Sequence, residues 1–144
     1  MPSAPRTFYL VRQANAAVRA RLERCLRDTN ITISQYTVMS QLASRNALSS
    51  AKLARINHVS PQTMNELVVN LAGRGLVERQ EDADNRRILL VSLTEEGRAT
   101  LKECDRLVDK LEENFFAGFS TTDMEKFRKA LQETAAGEKA PNSD

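Results

Sequence analysis

Ser60-Pro61-Gln62-Thr63-Met64-Asn65-Glu66-Leu67-Val68-Val69-Asn70-Leu71, continued by Gly75-Leu76-Val77-Glu78-Arg79-Gln80 and then by Ile88-Leu89-Leu90-Val91-Ser92-Leu93, decides how this chain folds. Ser60 followed by Pro61 opens a helix. The serine oxygen can accept a hydrogen bond from a first-turn N–H, and proline at the first helical position gives up an N–H that has no partner there. Met64, Leu67, Val68 and Leu71 then recur at i, i+3, i+4, i+7, which is one apolar stripe. Gly73 and Gly75 bracket the helix end. Leu76 to Gln80 and Ile88 to Leu93 read as strands, and the polar run Glu81-Asp82-Ala83-Asp84-Asn85-Arg86-Arg87 between them makes a charged hairpin loop.

Immediately upstream, Leu48-Ser49-Ser50 leads into a short helical stretch through Lys52, Leu53, Ala54 and Ile56, which breaks at Asn57-His58-Val59. Helix, three-residue turn, helix and hairpin is the plan of a winged helix-turn-helix: the second helix enters the major groove and the hairpin reaches along the backbone. Leu53 and Ala54 are expected to face the second helix, and Val59 to bury the turn. His58 stands where such turns favour glycine, and histidine is one of the side chains that tolerate a positive φ. With the stripe in the core, Gln62, Thr63, Asn65, Glu66, Val69 and Asn70 form the outward face. Gln and Asn can pair with adenine, Thr can meet a thymine methyl and Glu can accept from cytosine N4. Ser49, Ser50, Lys52 and Ser60 are placed at helix starts, where hydroxyls, lysines and free N–H groups suit phosphates. The wing carries Arg79, Arg86 and Arg87 against Glu81, Asp82 and Asp84, so its net charge is zero. An Asp84–Arg86 pair is expected to hold the loop and leave Arg87 for the minor groove or phosphates.

Outside this core, Phe8 to Leu26 reads as a long first helix with Val11, Ala14, Val18, Leu22 and Cys25 on one side and arginines on the other. Ser34 is expected to cap a second helix bearing Tyr36, Val38, Met39 and Leu42 and ending around Asn46. After Thr94-Glu95-Glu96-Gly97 a long helix steps through Leu101, Cys104, Val108, Leu111 and Phe115 in threes and fours, until Gly118 stops it. A last helix begins at Ser120 or Thr121, with Met124, Phe127 and Leu131 on one face. From Gly137 to Asp144 periodicity is lost and disorder is expected. The fold class is therefore mostly α with a small β component (α+β): a winged helix-turn-helix at residues 34–94, flanked by dimerisation helices at 1–33 and 95–136 and a tail at 137–144.

The chain has 144 residues, enough for one domain with a proper core. Its 21 bases and 19 acids leave a net charge of only +2, so bulk charge does not announce nucleic-acid binding and the motif must carry that inference. No apolar run is long enough to span a bilayer and residues 1–6 lack a signal-peptide core, which points to the cytoplasm and to no membrane partner. Two cysteines and one histidine are too few for a disulfide framework or a structural zinc site. No glycine-rich phosphate loop or nucleophile elbow is present, so neither an enzyme nor a cofactor is expected.

Gly75-Leu76-Val77-Glu78-Arg79, Asp84-Asn85-Arg86-Arg87 and Val91-Ser92-Leu93-Thr94-Glu95-Glu96-Gly97 together resemble the wing signature of the MarR family, in spacing as well as in chemistry. The resemblance extends as an order of elements over residues 6–135. It implies an obligate dimer built from the first and last two helices, a recognition helix at residues 60–74 and near-palindromic promoter DNA as partner. Dimerisation also follows from the bare sequence: Phe8, Leu10, Phe115, Phe116, Phe119, Phe127 and Leu131 are more apolar side chains than residues 34–94 could cover, and a two-fold dimer would bury them. Many members of the family respond to phenolic or other aromatic ligands held between the dimerisation helices and the DNA-binding lobe. The matching positions are drawn from Asn15 and Arg19 on the first helix, Tyr36 and Met39 on the second and the start of the long helix after Gly97, with Arg19 suited to a carboxylate. The function so implied is a sequence-specific duplex-DNA-binding regulator, a repressor released by a small aromatic or phenolic effector. The alternatives are an oxidant-sensing repressor using Cys25 or Cys104, and a winged-helix protein–protein module without DNA. Peroxide-sensing members carry their reactive cysteine near the start of the first helix, whereas Cys25 lies towards its end and both thiols fall on apolar stripes.

Overall fold

A computed structural model describes residues 3–137. Six α-helices and three strands follow one another as α1 (Thr7–Leu26), α2 (Ile33–Arg45), β1 (Ala47–Ser49), α3 (Ser50–Ile56), α4 (Pro61–Gly73), β2 (Val77–Glu81), β3 (Leu89–Leu93), α5 (Glu95–Phe115) and α6 (Thr121–Ala136). A single 3-10 turn, Arg27–Thr29, joins α1 to α2. The chain divides into two compact units after Asp109. The disorder expected of the tail falls, beyond Gly137, outside the described residues.

In the first unit, Met39, Leu42, Leu53, Leu71 and Val91 are fully enclosed, and Leu101 and Cys104 of α5 join the same core. The stripe on α4 is in place: Met64, Val68 and Leu71 are buried and Leu67 packs against them half-buried. Tens of apolar square ångströms per side chain, at about 25 cal/mol per Å², make this burial the main stabilising term.

The sheet is antiparallel in the order β1-β3-β2. Val77 pairs with Leu93 and Glu81 with Leu89, which is the expected hairpin shifted by a residue at its ends. The third strand was not expected. Ala47-Leu48-Ser49 pairs with Ser92, Val91 and Leu90 on the free side of β3, and three residues are too few for alternation to show in a sequence.

Two boundaries differ from expectation for identifiable reasons. Thr32, not Ser34, caps α2: its hydroxyl accepts from the Gln35 N–H at 3.1 Å while the Gln35 side-chain oxygen accepts from the Thr32 N–H at 3.0 Å. Glutamine three residues after threonine allows this reciprocal capping, and Thr37, three after Ser34, does not. At the other end of the chain α5 stops at Phe115 rather than Gly118. The second unit gathers four phenylalanines there, with Phe115 and Phe116 centroids 4.8 Å apart and Phe119 and Phe127 5.6 Å apart. Clustering these rings turns the chain, and Ser120 then caps α6 by accepting from the Asp123 N–H.

Candidate nucleic-acid interface

The turn between α3 and α4 is built by hydrogen bonds that reach back over the end of α3. Asn57 ends the helix, the His58 N–H donates to the Arg55 carbonyl at 3.3 Å and the Val59 N–H to the Ala54 carbonyl at 3.1 Å. That arrangement requires a left-handed residue, and His58 supplies it at φ 54°. The same pair of bonds ends α4, from Gly75 to Ala72 and from Leu76 to Leu71, around Gly75 at φ 72°. Leu53 and Ala54 are buried on the supporting helix, as expected. Val59 does not bury the turn: it stays 38% exposed. The residue it should pack on is Ala54, whose single methyl offers a valine little surface.

Ser60 caps α4, its Oγ accepting from the Thr63 N–H at 3.1 Å and donating to Thr63 Oγ1 at 2.9 Å. Losing that cap removes a partner from an orphan N–H and costs about 1 kcal/mol. Ser60→Ala should lower the thermal midpoint by about 3 °C, read by circular dichroism; an unchanged midpoint would show that the cap contributes nothing.

Gln62, Thr63, Asn65, Glu66, Val69 and Asn70 are all exposed on α4. Two of these polar groups have partners within the chain. Besides the Thr63 hydroxyl, the Asn70 side-chain oxygen accepts from Gln35 Nε2 at 2.9 Å, so Asn70 presents only its amide donors freely. Arg74 also reaches the Gln35 oxygen, at 3.4 Å. Gln35 thus ties the start of α2 to the last turns of α4. Sequence reasoning missed Gln35 and Arg74, although the Thr32-x-x-Gln35 spacing announced half of the network. On α3, Ser49 is the cap, accepting from the Lys52 N–H at 3.1 Å, Ser50 is half-buried and Lys52 is exposed.

The wing loop is held by its carboxylate and amide side chains, not by an ion pair. Asp82 Oδ1 accepts from the Asp84 N–H at 3.0 Å and Asn85 Oδ1 from the Arg87 N–H at 3.1 Å. The Asp82 N–H donates to the Ile88 carbonyl and the Ile88 N–H to the Asn85 carbonyl, both at 2.9 Å. The Asp84–Arg86 pair does not form among the described residues: both side chains are exposed, where an ion pair gains too little in water to offset the freedom lost in holding it. Arg79, Arg86 and Arg87 are exposed.

The four residues expected around an effector are dispersed. Asn15 is exposed, and Met39 is wholly enclosed in the core. Tyr36 is half-buried and its hydroxyl donates to Asp105 Oδ1 at 2.6 Å. Burial, with that carboxylate alongside, pushes its phenol well above the ordinary tyrosine range. Arg19 forms a 3.8 Å ion pair with Glu23 and lines a cavity of about 370 Å³ with Arg27, Ile31 and Ile33. Cys104 is buried and Cys25 half-buried, and burial raises both thiols above their usual pKa, a direction that disfavours the nucleophilic thiolate.

A capped helix pair joined by a left-handed turn, a polar outer helix and a hairpin bearing arginines define a winged helix-turn-helix DNA-binding protein. The family model for the MarR family matches residues 31–89. The transcriptional regulator HosA of Escherichia coli O157:H7 is 30% identical over 122 residues, 85% of this chain and 89% of that protein. An HTH-type transcriptional repressor of Mycobacterium tuberculosis is 28% identical over 124 residues, covering 86% and 89%. Among solved structures, CouR of Rhodococcus jostii RHA1 bound to p-coumaroyl-CoA superposes with a TM-score of 0.80 at 26% identity, covering 88% of this chain and 90% of CouR. In fold alone, a mutant of Escherichia coli MarR complexed with operator DNA is also similar, with a TM-score of 0.78 at 21% identity and coverage of 88% and 91%. The chain belongs to the MarR family of transcriptional regulators. No helix among the described residues is long and apolar enough to cross a membrane.

Proposed function

We propose that this chain is a homodimeric, cytoplasmic repressor that reads a near-palindromic promoter site with α4, grips the flanking backbone with its wing, and releases DNA when a small aromatic or phenolic effector binds. The observation that carries this reading is the exposed polar face of α4 at Gln62, Thr63, Asn65, Glu66 and Asn70, in one unit with the unpaired wing arginines. Ser49, Ser50, Lys52 and Ser60 add phosphate contacts at helix starts. Arg79, Arg86 and Arg87 do so from the wing, with Asp84 shaping the loop. Residues 34–94 form the DNA-binding lobe, and residues 1–33 and 95–136 the dimer interface. Support for the dimer comes from apolar side chains left exposed, among them Phe8 at 87%, Leu10, Phe119 and Leu131. A two-fold pair would set half-sites about 10 bp apart.

For the effector, Arg19 and Arg27 beside Ile31 and Ile33 suit a carboxylate on an apolar ring, and CouR, a relative in structure, holds p-coumaroyl-CoA. Repression is supported by the mycobacterial relative's description as a repressor. An effector that favours one spacing of the two lobes would shift the DNA-competent population.

Fluorescence anisotropy with duplex DNA from upstream of the protein's own gene, against excess scrambled competitor, tests the core of this. Competitor-resistant binding is expected, weakening about 10³-fold between 50 and 200 mM salt as counterions are released. Binding that is flat with salt and lost to competitor would instead identify a protein–protein module.

A further inference from the structure

We propose that Val69 reads a thymine, by contact with its C5-methyl group in the major groove; the inference rests on the DNA-reading role of α4. Val69 is 46% exposed, on a helix whose other apolar residues are buried or packed against the core. It follows Gln62 by seven residues, Asn65 by four and Glu66 by three, so it shares their face and extends the same line by one turn. Those three side chains can satisfy hydrogen-bonding base edges, and valine can satisfy none. Among the four bases only thymine offers an apolar group in the major groove.

The position is also anchored. The neighbouring Asn70 is held by Gln35 at 2.9 Å and Arg74 reaches the same glutamine, so the third turn of α4 is tied to α2 just where Val69 projects. The bond from Gln35 fixes the direction of the Asn70 amide and occupies one of its two acceptor sites. Val69 is the apolar side chain this turn exposes on the reading face.

Random-sequence duplexes selected in parallel on the full-length wild type, V69A and V69I test this, followed by rebuilding the wild-type consensus with deoxyuridine for thymine at one symmetric pair at a time. One thymine pair should stand out: its conversion to uridine weakens wild-type and V69I binding by about fourfold per half-site, the worth of one buried methyl group. V69A should bind the thymine and uridine sites equally while melting like the wild type, since the exposed alanine favours helix. If every uridine substitution affects wild type and V69A alike, Val69 does not read thymine. If no sequence is enriched even on the wild type, sequence-specific DNA binding itself fails, and this inference with it.

Discussion

Gly97→Ala should destabilise the protein by about 3 kcal/mol or more, because the new methyl would strike a backbone carbonyl that cannot move aside. Gly97 sits buried in the first turn of α5, and a β-carbon there would collide with the Leu76 carbonyl oxygen and come 3.2 Å from Leu93 Cδ2. Leu76 is held from several sides. Its N–H donates to the Leu71 carbonyl at 3.0 Å, and its own carbonyl accepts from the Thr94 N–H at 3.1 Å. The Thr94 hydroxyl donates to the Gly75 carbonyl at 2.6 Å and accepts from the Gly97 N–H at 3.0 Å. Threonine and glycine three residues apart thus lock the end of α4, the base of the wing and the start of α5 together. The expected drop in thermal midpoint is about 9 °C; a midpoint within a degree of wild type would mean that the junction yields freely.

The second large effect concerns DNA. The double substitution Arg86→Ala, Arg87→Ala should weaken operator binding about 100-fold near 0.1 M salt and make it less salt-sensitive. Four positive charges would leave the proposed dimer, so the log–log slope should fall by as much as about 3 to 4. Stability should be unchanged, since both side chains are exposed and the loop is held by Asp82 and Asn85, with the Arg87 backbone N–H as its only arginine contribution. Equal binding and equal slope would remove the wing from the interface and return weight to a partner other than DNA.

How much of this was legible in the residues themselves varies with the physics. Ser60-Pro61 and the Met64-to-Leu71 stripe gave α4 its bounds because capping and periodicity are local, and His58 gave the turn its left-handed residue. The strand at Ala47 to Ser49 was invisible, since only its pairing with β3 makes it one. Val59 was misplaced because its burial depends on what Ala54 offers across the turn. Of the interface, the exposed face of α4 could be read from what the stripe left over. The Gln35–Asn70 link joins residues 35 positions apart, and no pattern in the sequence brings them together. The meaning of Thr94-Glu95-Glu96-Gly97 was likewise only half visible: a helix start could be read there, but not the carbonyl that demands glycine.

A hairpin that must stand clear of its domain to reach a partner also exposes a sheet margin to every other chain in the cell. Here β2 is that margin, paired only with β3 and ending the sheet on one side. After the buried Val77 it presents Glu78, Arg79, Gln80 and Glu81 to solvent. Charges of both signs along an open strand make it a poor template for strand addition from another molecule. The near-neutral, densely charged wing can thus remain unprotected without seeding aggregation, and Arg79 belongs to that safeguard as much as to any contact with phosphate.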